Sequence, residues 1–462
     1  MAKIGTRFSC NACGHSQPKW EGKCPSCEQW GSLEEVVISS ALASQKGRVS
    51  AINSKVWALK DISLEQSKPL STGIHELDRA LGGGLTPGSL VLLGGEPGIG
   101  KSTLLLQLCQ SLGEKGTEPL YISGEESLTQ IATRAVRLGV KTPSLRLLSE
   151  VSLEAILQHL LQIRPSIVMI DSIQTVVKDA LSSSAGSPLQ LKECTSALLH
   201  IAKQYGIAIV LVGHITKSGE LAGPKVLEHM VDTVLSFERD RTDALRFLRV
   251  TKNRFGPTDE LALFSMEKEG LVTLETPSHY FVKQRIADPI GSILVPVIEG
   301  SRVFILDVQA LVCKSCYPTA MRKASGIDPS RLTILLAVLE RYTSLSLTGC
   351  DVFVSLTEGL RVQDASLDLA ILLAIASAAL NKPISINNNR SGACAEIGLN
   401  GQLRPVKQIA KRCKELHWMG VPTLLVAQSN CKADKNSTGT TGKLLGVSTL
   451  AQALKVAFHL NE

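Results

Sequence analysis

At 462 residues, with 44% apolar and 20% charged residues, the chain has the composition of a soluble globular protein and material for two or three domains. Its formal net charge of +7 permits nucleic-acid binding without requiring it. No apolar run reaches the ~18–20 residues that span a bilayer, and "MAKIGTRFSC" lacks the apolar stretch of a secretory signal, so the twelve cysteines read as reduced thiols or metal ligands and a cytoplasmic protein without a membrane partner is expected.

Residues 1–35 hold two Cys-x-x-Cys doublets, Cys10/Cys13 and Cys24/Cys27, with ten residues between them. Four thiolates at this spacing suit one tetrahedral Zn²⁺, which supplies folding energy that so short a unit lacks. His15 is a further but unnecessary ligand. Residues 36–58 read as a weakly patterned linker, Ser/Ala-rich over most of their length. From 59 to 285 apolar strands alternate with helical patterns, the α/β layout of a parallel sheet covered on both faces. "SLVLLGG" (89–95), "PLYISGE" (119–125), "SIVMIDS" (166–172) and "IAIVLVGH" (207–214) are the strands. A helix over 101–112 and an amphipathic helix with Arg134 and Arg137 lie between them. "LRFLRVTK" (245–252) reads as a partly buried strand running toward an edge.

Between the first strand and its helix lies "GEPGIGKS": Gly95, Glu96, Pro97, Gly98, Ile99, Gly100, Lys101 and Ser102, with Thr103 following. This is the G-x-x-x-x-G-K-[ST] phosphate loop, whose glycines let backbone N–H groups wrap the phosphates of ATP. Lys101 would reach the β- and γ-phosphates, and Ser102 would hold Mg²⁺. Asp171, ending "IVMID", anchors the Mg²⁺ from behind. Glu125 is chosen to orient the attacking water; Glu126 reads as an acidic helix start favoured by the dipole. His214 ends its strand where a polar sensor of the γ-phosphate would stand. In "TKNRFGPT" (251–258), Lys252 and Arg254 lie two apart on an extended segment that Gly256-Pro257 ends. They are expected to emerge free to face a neighbouring subunit's nucleotide, with Phe255 anchoring the segment.

A second domain is placed at 286–462. "GSILVPVIEG" and "RVFILDVQALV" form a hairpin, Ser330–Arg341 and Ser366–Ala379 helices, and "DVFVSLT" (351–357) a strand; "NNNRSG" and "SNCKADKNSTGTTG" are polar loops. Cys313-x-x-Cys316 has no partner doublet and reads as unliganded thiols.

Taken together these segments resemble the RadA (Sms) family of bacterial DNA repair proteins. "CNACGHSQPKWEGKCPSC", "STGIHELDRALGGGLTPGSLVLLGGEPGIGKST", "LYISGEES", "KNRFG" and "EIGLNGQLRPV" each match its pattern, over nearly the whole chain. The resemblance implies an N-terminal C4 zinc finger, a RecA-like P-loop ATPase core and a C-terminal Lon-protease-like α+β domain. It further implies a homo-hexameric ring on single-stranded and branched DNA, driving branch migration beside a recombinase and other recombination proteins. The family's Lon relatives use a Ser–Lys dyad. Here Ser366 aligns near the serine, while Ala410 stands where the lysine should be, and Lys407 and Lys411 are out of register on a helix. A serine without an activating base is not a nucleophile, so the domain is expected to be a scaffold and DNA platform. The rival readings are an ATP-dependent protease and a nucleotide-switched scaffold ATPase.

Overall fold

The computed structural model describes residues 5–10, 16–25, 28–38, 68–141, 143–214, 226–239, 245–258, 260–274, 276–282, 289–356, 362, 364–386, 390–434 and 442–459. They divide into two compact units, the second resuming at Leu274, twelve residues before the sequence-based boundary at 286.

The first unit begins with a small antiparallel sheet of β1 (Gly5–Cys10), β2 (Ser16–Gln17) and β3 (Leu33–Ile38), in the order β2-β1-β3. There follow α1 (His75–Leu81), β4 (Leu90–Gly95), α2 (Lys101–Glu114), β5 (Leu120–Ser123), α3 (Leu128–Arg137), β6 (Arg146–Ser149), α4 (Leu153–Ile163), β7 (Ile167–Asp171), α5 (Pro188–Tyr205) and β8 (Ala208–His214). The unit closes with α6 (Val226–Met230), β9 (Thr233–Arg239), β10 (Leu245–Asn253), β11 (Leu261–Glu267) and β12 (Gly270–Thr273). The nine-stranded sheet runs β12-β11-β10-β9-β4-β8-β7-β5-β6. Because side chains alternate across a strand, β4 sends Val91 and Leu93 into one core with α1 and α2. Leu90 and Leu92 enter the other with α4 and α5. Each fully buried Leu contributes roughly 2 kcal/mol, which is why these strands read as unbroken apolar runs.

Two expectations are corrected here. The sheet is parallel only from β9 to β6; β9 to β12 form an antiparallel meander, since connections as short as those joining β10, β11 and β12 cannot make a parallel crossover. β10 therefore lies between β9 and β11 instead of running to an edge.

The second unit contains α7 (Pro277–Val282), β13 (Ser292–Glu299), β14 (Arg302–Lys314), β15 (Arg322–Ser325), α8 (Pro329–Tyr342), β16 (Cys350–Leu356), α9 (Leu367–Leu380), β17 (Ser391–Cys394), β18 (Glu396–Ile397) and β19 (Leu403–Arg404). It ends with α10 (Ile409–Trp418), β20 (Thr423–Ala427), α11 (Gln428–Asp434), β21 (Lys443–Val447) and α12 (Leu450–Phe458). Its mixed sheet has the order β15-β16-β14-β13-β17-β20-β21. α7 joins this unit because Ser278 Oγ accepts from the Ile305 N–H at 3.3 Å and donates to Glu415 at 2.8 Å. α9 is apolar on every side and buried from Leu367 to Ser377, as a helix inside a core must be. The expected loop "SNCKADKNSTGTTG" begins as α11, and the end of "NNNRSG" belongs to β17; residues 387–389 and 435–441 lie outside the described residues. Among the described residues no helix is long and apolar enough to cross a membrane.

Candidate active site

The phosphate loop bridges β4 and α2. Gly95 approaches β9 so closely that a Cβ there would lie 2.9 Å from the Phe237 carbonyl oxygen. Gly100, at φ 117°, turns the chain into α2 through a conformation that L side chains avoid. Lys101 is 5% exposed, and its ammonium donates to the carbonyls of Gly95 at 2.8 Å and Glu96 at 2.9 Å. Burial lowers its pKa, opposed by the charges of Asp171 and Glu125. Asp171 and Glu125 are thus near enough for their charges to act on the ammonium. Ser102 and Thr103 occupy the first turn of α2 beside it, partly buried. Pro97 and Gly98 form the exposed crest of the loop. Glu96 pairs with Arg239 at 3.0 Å.

Asp171 is buried at the end of β7, where its Oδ2 accepts from the Tyr121 hydroxyl at 2.7 Å. Burial, together with Asp171, pushes the Tyr121 phenol far up, so it stays a donor. Glu125 and Glu126 separate after β5. Ser123 Oγ accepts both of their N–H groups, at 3.3 and 3.0 Å. Ser172 Oγ then donates to the Glu125 carboxylate, while Glu126 pairs with Arg134 of α3. The backbone of His214 registers beside Gly95; its side chain lies outside the described residues. Ser102 and Asp171 are chemically suited to Mg²⁺, and the loop to a nucleotide's phosphates.

Lys252 and Arg254 sit elsewhere. Lys252 registers against Val234 and Asn253 against Thr233, which in turn pairs with Val91 near the start of β4. The phosphate loop leaves β4 at its other end, roughly 13 Å away along the strand. The expected free projection is corrected for Lys252, while Arg254 is paired but half-exposed. Lys252 Nζ donates to the carbonyls of Glu228, His229 and Val231 at 2.6, 3.2 and 2.8 Å, at the end of α6. Burial and then Arg254 lower its pKa, against the pull of Asp232 and Glu228. Arg254 is 54% exposed on its side chain and faces Asp232 at 3.3 Å. Asp232, fully buried, also accepts from the Leu90 N–H at 3.1 Å and faces Lys203 at 3.3 Å.

Phe255 is not the anchor, since it is 46% exposed. Asn253 does that work, donating to the Leu81 carbonyl at 3.2 Å and accepting from Thr233 and the Phe255 N–H. A Cβ on Gly256 would lie 2.8 Å from that same carbonyl, so only glycine fits against α1.

In the N-terminal sheet Cys10 and Cys24 are buried together with Leu33, and Cys10 Sγ donates to Ser32 Oγ at 3.2 Å. The Glu28 N–H returns to the Cys24 carbonyl at 2.9 Å, closing a tight turn. Cys10 and Cys24, from different segments, thus share one buried cluster; Cys13, Cys27 and His15 lie outside the described residues. Cys313 and Cys316 are exposed.

In the second unit Ser366 is fully buried and accepts from Arg412 Nη1 at 2.8 Å. Arg412, 3% exposed, also donates to Asp364 at 2.7 Å, to the Lys407 carbonyl at 3.0 Å and to the Pro296 carbonyl. Ala410, Lys407 and Lys411 are all exposed on or beside α10.

Sequence reasoning missed Tyr121, Asp232, Arg246 and Arg412. The last two carried a readable signal. Arg412 interrupts the apolar stripe Ile409, Cys413, Leu416 of α10, and Arg246 stands among the apolar residues of a strand with both faces covered.

The description of KaiC, an ATPase, fits residues 70–277, and that of a rubredoxin metal-binding domain, a zinc ribbon, fits residues 8–35. A KaiC-like protein from Pyrococcus horikoshii OT3 superposes with a TM-score of 0.38 at 18% identity, covering 45% of this chain and 99% of its own. DNA repair protein RadA of Chlamydia muridarum (strain MoPn / Nigg) is 41% identical over 98% of this chain and 99% of its own. The Bacillus subtilis (strain 168) protein of that name is 40% identical over 99% of each chain. That of Campylobacter jejuni subsp. jejuni serotype O:2 is 45% identical over 90% of this chain and 92% of its own. Similarity of this extent, from the first cysteine doublet through the C-terminal sheet, makes the chain a member of the RadA family.

Proposed function

We propose that the chain is a DNA-dependent ATPase of recombinational repair, working in the cytoplasm as a homo-hexameric ring on single-stranded and branched DNA and driving branch migration. The observation that carries this reading is the convergence of Lys101, Asp171 and Glu125 on the phosphate loop, in a member of the RadA family. Lys101 holds the phosphates, and Glu125, set by Ser123 and Ser172, orients the attacking water. Mg²⁺ on Ser102 and Asp171 supplies neutralising charge when bound. Arg254 serves a neighbouring subunit's nucleotide as a cation in trans. Its own phosphate loop lies at the other end of the sheet, and its guanidinium is half-exposed. Zn²⁺ on Cys10, Cys13, Cys24 and Cys27 folds the N-terminal ribbon. A basic stripe on the second unit supports DNA binding: Lys407, just before α10, and Lys411 and Lys414 on it are exposed, with Lys414 over the Trp418 ring at 4.8 Å. We read that unit as Lon-protease-like in fold and inactive as a peptidase. Recombinase and other recombination proteins are its expected partners.

The test is ATP hydrolysis with and without single-stranded DNA. Stimulation by DNA, abolished in Lys101→Ala, is expected. Hydrolysis indifferent to DNA would favour a switched scaffold instead.

A further inference from the structure

The phosphate loop is held by a buried cation that lies outside the nucleotide motif. Arg246 of β10 is 4% exposed, and its Nε donates to the Ile99 carbonyl at 2.9 Å. Its Nη1 donates to the Leu245 carbonyl at 3.1 Å. Ile99 stands between Gly98 and Gly100, at φ 75° and 117°, and its own side chain is buried. Nothing in a helix or strand ladder fixes the peptide that joins Ile99 to Gly100. That peptide is planar and trans, so its C=O and its N–H point in opposite directions. Whatever holds the Ile99 oxygen on one side therefore aims the Gly100 N–H to the other. In a phosphate loop the backbone N–H groups are what cradle the phosphates. An apolar residue of similar length would fill the space without the desolvation that a buried guanidinium requires.

We propose that Arg246 is a positioning residue of the nucleotide site, which fixes the Ile99–Gly100 peptide so that its N–H faces the phosphates. This rests on the reading of Gly95–Ser102 as the ATP site. It gives β10 two attachments, to the phosphate loop through Arg246 and to α6 through Lys252.

The experiment measures binding of a fluorescent ATP analogue and steady-state hydrolysis in the full-length protein, with DNA present. A parent protein that fails to bind nucleotide overturns the ATP-site reading itself. With binding in the parent, Arg246→Met should raise the dissociation constant and KM by about tenfold or more, the scale of one charge-assisted hydrogen bond. Turnover at saturating ATP should stay within about threefold, and Arg246→Lys should recover part of the lost affinity. A merely structural role lowers the active fraction, and hence kcat, while KM stays put. A methionine variant with the parent's KM overturns the proposal. Should that variant not fold, Arg246→Lys is read by the same affinity and by hydrogen exchange at residues 98–102. Its single donor point should raise KM by about threefold and speed exchange there; a lysine variant matching the parent in both defeats the idea.

Discussion

A guanidinium taken out of water must find acceptors for its donors, and Arg412 has them in Lys407, Pro296, Ser366 and Asp364. It stands beside the serine that the family resemblance aligns with a protease nucleophile, and it cannot act as that serine's base, because arginine keeps its proton throughout the physiological range. Ser366 does not cap α9 either; its hydroxyl is held by Arg412. Ser366→Ala should therefore cost about 1 kcal/mol, and ATP-dependent cleavage of an unfolded protein should be absent before and after the change. Cleavage that disappears in Ser366→Ala would reverse this reading. Arg412→Met should cost about 3–5 kcal/mol, since it leaves Asp364 buried without its cation. Burial pushes the Asp364 carboxyl up, but Arg412 and the N–H groups of Ile298 and Ser366 outweigh it and hold it below the usual range. A carboxyl depressed in the folded state adds stability above its unfolded pKa of about 3.9, and that stability is lost as pH falls through the folded value. Without Arg412 burial dominates, the carboxyl rises, and acid relatively favours the folded variant. Urea unfolding of parent and Arg412→Met should show a stability gap that narrows from about pH 6 to pH 3. A gap that widens would mean that Asp364 is not the group left behind.

Short helices need help at their ends, because their last carbonyls have no partner within the helix. α6 has five residues, and Lys252 closes its C-terminal end from β10. A cation there also suits the helix dipole. Lys252→Met should speed hydrogen exchange at Leu227–Val231 and destabilise by about 2 kcal/mol. Arg254→Met should leave both nearly unchanged, since its pair with Asp232 is half-exposed and exposed pairs contribute about 1 kcal/mol or less. Equal exchange in the parent and Lys252→Met would remove the clamp. The N-terminal ribbon is expected to depend on metal, as α6 is on Lys252. One zinc per chain is expected in reduced protein, and Cys24→Ala with Cys27→Ala should release it; unchanged zinc content would exclude these ligands. Elements of this kind differ in how legible they are from sequence. The strands ending at Gly95 and Asp171 announce themselves, because a strand covered on both faces is apolar at every position. β9 does not, since Ser236, Glu238 and Arg239 break its apolar run and only pairing with β4 and β10 makes it a strand. Lys101 and Ser102 can be proposed from spacing because the phosphate loop is one short segment, and Asp171 because it ends an apolar strand. Apart from the Lys407 carbonyl, the partners of Lys252 and Arg412 lie 21 to 116 positions away, which no window along the chain can reveal.

At the scale of the molecule, the sheet keeps the phosphate loop and Arg254 apart. The loop leaves the end of β4, and Arg254 follows Asn253, whose strand partner Thr233 pairs with Val91 near its start. A cation at that end cannot stabilise charge on its own subunit's γ-phosphate without unpairing β10 from β9. We propose that it instead serves a neighbour's nucleotide, where a planar guanidinium would bridge two phosphate oxygens. Arg254→Ala should keep ATP binding and lose about 10³-fold or more in DNA-coupled hydrolysis, the range of an arginine supplied in trans. Lys101→Ala should be equally inactive through its own loop. The decisive measurement mixes the two variants. In a mixed ring some boundaries join an intact loop to an intact arginine, so hydrolysis should reappear in a mixture of two inactive proteins. A pure cis role predicts no such boundary and no recovery. Co-purification through a tag carried by one variant establishes that the subunits have exchanged. Confirmed mixed rings without activity would therefore assign Arg254 to its own subunit or to DNA, and not to the nucleotide next door.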